Sequence, residues 1–236
     1  MAPGKFLTAE WQDLVMLNYA LEPSLLQPYV PAGTELDSFD GKTYASLVGF
    51  KFNRTRIAGI AIPFHQSFEE VNLRFYVRRG SKRGVVFISE LVPKFAVAAI
   101  ARYAFGEKYS SVPMSHLVHT RTEDNVLEAE YFWGPAANRC SIWIETAQPA
   151  FVPVDDSLSQ FITEHFWGYA SQKDGSCLEY EVQHPRWLVR EADNFGLSGD
   201  AGRYYGSEFA AALGQPAQSA FIAEGSAVSV FKGMRI

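Results

Sequence analysis

Apolar and polar residues alternate most clearly between Phe68 and Arg79. Successive side chains of a strand point to opposite sides, so this stretch predicts a strand with one apolar and one polar face. The polar face carries Glu70, Asn72, Arg74, Tyr76 and Arg78. Gly80-Ser81 then predicts a turn into a second strand over residues 84–92. A hairpin with one chemically distinct face is therefore expected here.

Strand-like patterns fill most of the remaining chain. Turn signals such as Asp40-Gly41 and Asp124-Asn125 separate them. The predicted strands cover residues 14–21, 43–53, 111–122, 126–133, 139–148, 219–224 and 227–232, with a hairpin-like segment at 177–189. Strands that come in runs favour a mainly antiparallel α+β fold, strongly curved or closed as a barrel. No repeat or linker interrupts the pattern, so we expect one domain over residues 1–236.

The clearest predicted helix covers residues 93–105. Pro93 suits the first helical position, the interior is rich in alanine, and Gly106 is a typical C-terminal stop. Its residues are apolar on nearly every side, which predicts a buried helix running through the middle of a curved sheet. Shorter helices are expected at residues 23–29, 157–167 and 207–213.

The amino-acid composition excludes some classes of binding partner for this protein. Apolar residues make up 47% of the 236 residues, enough for a sizeable core, and the net charge is −5. The most basic stretch, residues 78–83, reads as a solvated hairpin turn, so nucleic acid is not an expected partner. No apolar stretch is long enough for a membrane span or a signal core. Two cysteines, Cys140 and Cys177, do not make a disulfide framework, and we expect a cytoplasmic protein.

Several blocks in order along the chain resemble one family, the YqjF-like proteins, known as domain of unknown function 2071. The blocks are Trp11-Gln12-Asp13-Leu14, Phe39-Asp40-Gly41, Val48-Gly49-Phe50, residues 68–77, Arg83-Gly84-Val85-Val86-Phe87, Gly106-Glu107-Lys108-Tyr109, Pro113-Met114, Glu181-Val182, His184-Pro185, Trp187 and Ala223-Glu224-Gly225-Ser226. This family is similar to the acetoacetate-decarboxylase-like superfamily. The resemblance implies a curved antiparallel sheet closing into a cone-shaped barrel around a cavity, and it makes a homo-oligomer plausible.

The resemblance also directs attention to Lys94. Acetoacetate decarboxylases carry a Pro-Lys-Lys segment whose first lysine forms a Schiff base with a β-keto acid, and Pro93-Lys94 resembles its start. Phe95 replaces the second lysine, and Glu90 stands four residues upstream, at a spacing that departs from the family's glutamate. Lys94 with Glu90 is thus a candidate catalytic pair. Alternatively, Lys94 is a structural or substrate-orienting cation.

Arg74 is the second candidate. If the polar face of its strand points inward, Arg74 can bind a carboxylate through two parallel hydrogen bonds. A pair between Arg74 and Glu70 or Glu90, or simple exposure to solvent, would explain the same pattern. The remaining candidates for a substrate-binding wall are Asn72, Tyr76, Tyr109, Met114, His116, His184 and Trp187.

Metal and cofactor chemistry are not expected. His116 and His119 lie three residues apart in a predicted strand, where their side chains point to opposite faces. The five histidines show no HxxxH-type spacing, and a metal site needs three or four convergent ligands. The chain also lacks a GxSxG elbow, a P-loop and a GxGxxG turn before a helix.

Three functional hypotheses remain open at this level. The cavity binds a small organic acid and acts as a decarboxylase-like lyase through Lys94. Alternatively, the same cavity belongs to a non-catalytic sensor or carrier, which would tolerate Lys94→Arg. In the third hypothesis, side chains fill the barrel and the protein is a self-associating structural component.

Overall fold

The computed structural model describes residues 4–236. Within this part of the chain there are sixteen strands and five helices. The strands are β1 (Lys5–Leu21), β2 (Glu35–Leu36), β3 (Thr43–Ile57), β4 (Ile60–Ala61), β5 (Phe68–Arg79), β6 (Lys82–Val92), β7 (Tyr109–Ser111), β8 (Met114–Thr120), β9 (Leu127–Trp133), β10 (Cys140–Thr146), β11 (Trp167–Ser171), β12 (Cys177–Gln183), β13 (Val189–Glu191), β14 (Asn194–Ser198), β15 (Ser219–Phe231) and β16 (Met234–Arg235). The helices are α1 (Pro23–Leu26), α2 (Phe95–Phe105), α3 (Leu158–Thr163), α4 (Gly202–Tyr205) and α5 (Ser207–Leu213).

Seven strands form a ring. Their order is β15-β1-β3-β5-β6-β11-β12, and β12 pairs again with β15 through Val182 opposite Val230. Most neighbours are antiparallel, while β6 runs parallel to both β11 and β7. The expected mainly antiparallel α+β fold with a strongly curved sheet is confirmed.

The alternation in β5 determines which of its side chains point into the ring. Its apolar residues, among them Leu73 and Phe75, belong to the same core as Tyr131 and Ile142 of a second sheet. The opposite face, with Glu70, Asn72 and Arg74, therefore points into the ring.

The second sheet packs on the outside of the ring and is antiparallel, with strand order β14-β10-β9-β8. The predicted meander over β8, β9 and β10 is confirmed by its register, for example Ile142 opposite Tyr131. Gly49 of β3 allows the two sheets to come close, because a Cβ atom there would lie 2.9 Å from the Cβ of Tyr131.

Helix α2 is not buried in the middle of the sheet, so that expectation was wrong. Phe95 is 70% exposed and Tyr103 is 95% exposed, while Val97 and Ile100 on its other side face the interior of the ring. The helix therefore lies across the opening of the ring as a cover. It also begins later than predicted, since Lys94 is its N-cap and Pro93 precedes the cap.

Other boundaries also differ from the expectation. The strands predicted at residues 219–224 and 227–232 form one continuous strand, β15. Gly225 lies between them with a positive φ of 80°, and the strand continues through it. Helix α3, capped by Ser157, ends at Thr163, and the next residues lead into β11. The hairpin partner of β12 is β11 rather than the segment that follows it.

The basic turn between β5 and β6 is exposed at residues 78–81, as expected, and its cations also form ion pairs. Arg79 and Lys82 both pair with the buried Glu179, the Lys82 Nζ–Glu179 Oε1 distance being 2.5 Å. Arg83 Nε donates to Asp37 Oδ2 at 2.7 Å. Both cysteines are free and buried. In residues 4–236, none of the helices has the length and apolar character needed to span a membrane.

Candidate functional site

The ring encloses a cavity of about 140 Å³ that opens beneath α2. Two of its walls differ in chemistry. Polar side chains from β5, β6, β7, β12 and the loop after α2 form one wall, and a neighbouring wall is formed by the aromatic side chains of β1, β3, the start of β5 and the loop after β12, namely Trp11, Phe50, Phe52, Phe68 and Trp187. We refer to them as the polar wall and the aromatic wall. The polar wall consists of Glu70, Asn72, Arg74, Glu90, Glu107, Tyr109 and Tyr180.

Hydrogen bonds hold the carboxyl groups of the polar wall together. Asn72 Nδ2 donates to Glu70 Oε1 at 2.8 Å, and the Tyr109 hydroxyl donates to Glu70 Oε2 at 3.0 Å. The Tyr180 hydroxyl donates to Glu107 Oε1 at 2.9 Å. Glu70 and Glu107 are thereby fixed in position, and two tyrosines connect the cluster to β7 and β12.

Burial dominates the protonation of this cluster. It raises the pKa of Glu70 to about 7 against the opposing effects of Asn72, Tyr109 and Arg74. It also raises the pKa of Glu107 to about 8. The pKa of Glu90 rises well above its ordinary value because burial is reinforced by the neighbouring Glu107 and Glu70. At neutral pH the cluster therefore retains protons, which suits it to proton transfer.

Arg74 is the cation of the polar wall. It is only 8% exposed, and its Nε has no hydrogen-bond partner among residues 4–236. Among residues 4–236, no carboxylate oxygen lies within 4.0 Å of the Arg74 guanidinium, so Arg74 forms no ion pair there. A buried guanidinium is costly to leave without a partner. Since Arg74 lines the cavity, a bound anion can supply that partner.

The aromatic wall is a continuous cluster. The Trp11 ring lies 5.3 Å from the Phe50 ring, and Phe52 stacks on Phe68 at 4.7 Å. Trp187 lies 6.1 Å from Trp11 and extends the cluster towards β12. All five side chains line the cavity.

Three histidines line the cavity, His65, His165 and His184, and the pKa values of the last two are clearly shifted. Both ring nitrogens of His165 lack hydrogen-bond partners in the described residues, and burial lowers its pKa to about 4. His184 stacks on Trp187 at 4.1 Å, and burial lowers its pKa to about 4 as well. At neutral pH both imidazoles are neutral, so they add hydrogen-bonding capacity without charge.

The cavity brings together six of the residues expected from the sequence: Arg74, Asn72, Glu90, Tyr109, His184 and Trp187. Tyr76 lies deeper, where its hydroxyl contacts Ser46 Oγ at 2.5 Å. Met114 and His116 lie outside the cavity because β8 belongs to the second sheet, where His116 Nδ1 is 2.7 Å from Glu69 Oε1. They do not form its wall.

Lys94 is partly exposed at the start of α2 and is not among the residues that line the cavity. Its side chain does not cap the helix. A nucleophilic role for Lys94 stays a prediction. In the structure, Glu90 belongs with Glu70 and Glu107 rather than with Lys94.

Sequence reasoning missed Glu107, Tyr180, His165 and Trp11 as lining residues. Glu107 follows the C-terminal glycine of α2, and nothing local marks it as buried. Tyr180 could have been found, since Leu178, Tyr180 and Val182 alternate with Glu179 and Glu181. No group of three or more His, Cys, Asp or Glu side chains in residues 4–236 is arranged to hold a metal ion.

Solved structures define the class of this fold. The enduracididine biosynthesis enzyme MppR, complexed with pyruvate, matches with a TM-score of 0.72 and 11% identity, over 100% of this chain and 91% of that one. An acetoacetate decarboxylase-like enzyme from Sphingomonas wittichii RW1 matches with a TM-score of 0.68 and 13% identity, over 99% and 94%. Acetoacetate decarboxylase from Legionella pneumophila matches with a TM-score of 0.68 and 12% identity, over 99% and 88%. The fold is acetoacetate-decarboxylase-like.

Sequence comparison supplies the family within that class. The model of domain of unknown function 2071, described as an uncharacterized conserved protein, matches residues 8–227, and the chain belongs to this family. It is similar to the uncharacterized protein YqjF of Bacillus subtilis (strain 168), with 25% identity over 187 residues, which cover 78% of this chain and 74% of that protein. The resemblance expected from the sequence is thus confirmed.

Proposed function

We propose that this protein binds a small carboxylic acid in the ring cavity, with Arg74 as the partner of the carboxylate. One observation carries the proposal: a buried guanidinium faces the cavity, and its Nε has no partner among the described residues. A carboxylate is planar and accepts two parallel hydrogen bonds from a guanidinium. The pyruvate bound by MppR, which shares this fold, is an acid of this kind.

The carboxyl cluster makes such binding electrostatically feasible. If Glu70, Glu90 and Glu107 were all ionised, they would repel an incoming acid. Burial raises the pKa of Glu70 to about 7 and that of Glu107 to about 8, and it raises the pKa of Glu90 well above its ordinary value, so at neutral pH the cluster carries only part of its full negative charge and Arg74 offsets it. A protonated carboxyl next to the ligand can also donate a hydrogen bond to it.

The same cluster supports proton transfer as the chemistry of the site. Glu90 is fully buried, and its Oε2 has no partner within residues 4–236. We propose that it exchanges a proton with the carbon next to the carbonyl of a bound keto acid. In its ionised form, a minor fraction at neutral pH, Glu90 takes the proton from that carbon and leaves an enolate, and the protonated Glu90 then returns a proton to the carbon. Lys94, which is not among the lining residues, has no part in this step.

Calorimetric titration with pyruvate tests the binding. We expect Arg74→Gln to weaken binding at least tenfold, because a charged partner is lost, and Arg74→Lys to lie between Arg74→Gln and the unmodified protein. Arg78→Gln is the matched control, since Arg78 lies on the same strand but pairs with the exposed Glu35 at the surface. Equal binding by the Arg74→Gln and Arg78→Gln variants would refute the proposal.

Proton exchange into deuterated water tests the chemistry. The methyl protons of pyruvate exchange by enolisation, and NMR follows their loss. We expect the protein to accelerate this exchange, Glu90→Gln to reduce the acceleration about 100-fold or more, and Lys94→Arg to preserve it. Loss of exchange in Lys94→Arg with retention in Glu90→Gln would instead favour a Schiff base at Lys94.

A further inference from the structure

Most of the surface that lines the cavity is apolar. Its aromatic wall is formed by Trp11, Phe50, Phe52, Phe68 and Trp187, and most of the other lining residues are apolar as well. Phe50, Phe52 and Phe68 are mostly packed against their neighbours and present their remaining surface to the cavity. A pyruvate-sized ligand held at Arg74 would leave this wall facing water.

The covering segments continue the apolar surface to the mouth of the cavity. Helix α2 contributes Val97, Ile100 and Phe105, and the loop around β4 contributes Ile57 and Ile62. The same two segments expose large apolar side chains to solvent next to the mouth. These are Phe95 (70% exposed), Tyr103 (95%), Ile60 (68%) and Phe64 (90%).

On the basis of the carboxylate site proposed above, we infer that the ligand is a monocarboxylic acid with an extended apolar tail. Its carboxylate meets Arg74 at the polar wall, and its tail packs on the aromatic wall and under α2. A second charged group on the tail has no partner there, because the aromatic wall carries no charged side chain. Dicarboxylic acids are therefore poor ligands, and short acids such as pyruvate should bind more weakly than acids with an apolar tail.

Area burial sets the size of the expected effect. Each methylene that leaves water for an apolar surface contributes a factor of about four in affinity. A cavity of about 140 Å³ accommodates a chain of several carbons, with the mouth beneath α2 leaving room for the end of the tail. Affinity should thus rise steadily from acetate through butanoate to hexanoate, by about two orders of magnitude in total.

Calorimetric titration with acetate, butanoate, hexanoate and hexanamide provides the test. Hexanamide matches hexanoate in shape but has no charge, so we expect it to bind at least tenfold more weakly than hexanoate. Val97→Asp places a charge in the path of the tail and should weaken hexanoate binding without changing acetate binding. Tyr103→Asp introduces the same residue on the exposed side of the same helix and serves as the matched control.

The outcomes test the inference about the apolar tail separately from the proposal that Arg74 binds the carboxylate. Affinity that is flat or falls from acetate to hexanoate would overturn the inference and leave the proposed carboxylate site standing. Absence of binding by any of the acids would overturn both. Hexanamide binding as tightly as hexanoate would contradict the role of Arg74, whereas equal losses in Val97→Asp and Tyr103→Asp would contradict the position of the tail.

Discussion

At the residue scale, Glu90 shows that ionisation of a buried side chain in this site lowers the stability of the folded protein. The side chain is fully buried between Glu70 and Glu107, so ionisation there is opposed by burial and by two neighbouring carboxyl groups. In the unfolded chain the same carboxyl ionises near its ordinary pKa of 4.5. The folded state thus binds more protons than the unfolded state above that pH, and its stability falls as the pH rises.

We expect Glu90→Gln to stabilise the protein at pH 8 by roughly 1–3 kcal/mol, because an amide needs no proton to remain neutral. At pH 4.5 the change should be small, since Glu90 is then protonated in the folded state. Urea denaturation at both pH values measures the difference. Glu35→Gln, at an exposed position, should show no such pH dependence. Destabilisation at pH 8 would mean that Glu90 is needed in its ionised form.

Binding of a carboxylate should weaken as the pH rises from 6 to 9. Over this range Glu70, with a pKa of about 7, and Glu107, with a pKa of about 8, lose their protons and repel the ligand. Tyr109 and Tyr180 stay neutral because burial raises their pKa values well above 10.0. Titration of hexanoate at several pH values should show up to a tenfold loss per pH unit for each proton taken up on binding. An affinity that does not change with pH would show that deprotonation of Glu70 and Glu107 does not affect binding of the ligand.

The strand period revealed some of the site residues, and the family resemblance pointed to others, such as Tyr109, His184 and Trp187. Arg74 and Asn72 could be predicted because alternation in β5 separates polar from apolar positions, whereas Glu90 of β6 was reached through its spacing to Lys94. Which face pointed inward depended on the second sheet, and nothing within β5 itself encodes that contact. Glu107 and His165 could not be found, because they lie in connections whose burial arises from distant strands.

Helix α2 shows what an element's own sequence determines and what it does not. Alanine-rich composition and Gly106 predicted its extent to within two residues at its start. An apolar surface on all sides is equally compatible with a core helix and with a cover that exposes Phe95 and Tyr103. The neighbouring ring decides between these environments, and the helix alone cannot.

Gly106 is the residue at which α2 should be most sensitive. It ends the helix with φ of 72°, and a Cβ atom there would lie 2.8 Å from the Gln172 amide. We expect Gly106→Ala to destabilise the end of α2 by about 1–2 kcal/mol and to speed hydrogen exchange in residues 95–105. Gly214→Ala is the control, because Gly214 ends α5 with φ of −75°. Unchanged exchange in Gly106→Ala would show that other contacts hold the cover in place.

For the whole molecule, runs of strands predicted the fold class, and the resemblance predicted a closed curved sheet. The closing contact itself had no sequence signal. Val182 and Val230 look like ordinary core residues of two separate strands, and their pairing depends on the curvature accumulated over the whole ring. The second sheet was likewise expected as a meander, but not its position on the outside of the ring.

The pairing of β1 with β15 governs when during synthesis this protein can become functional. Asn18 contacts Ser219, 201 positions later in the chain. Until β15 leaves the ribosome, β1 has one unpaired edge and the ring stays open, a state that invites aggregation. Contacts this distant in sequence form slowly, because a long loop must close first. A ligand of the cavity therefore cannot assist the early steps of folding; it stabilises the protein only after the ring has closed.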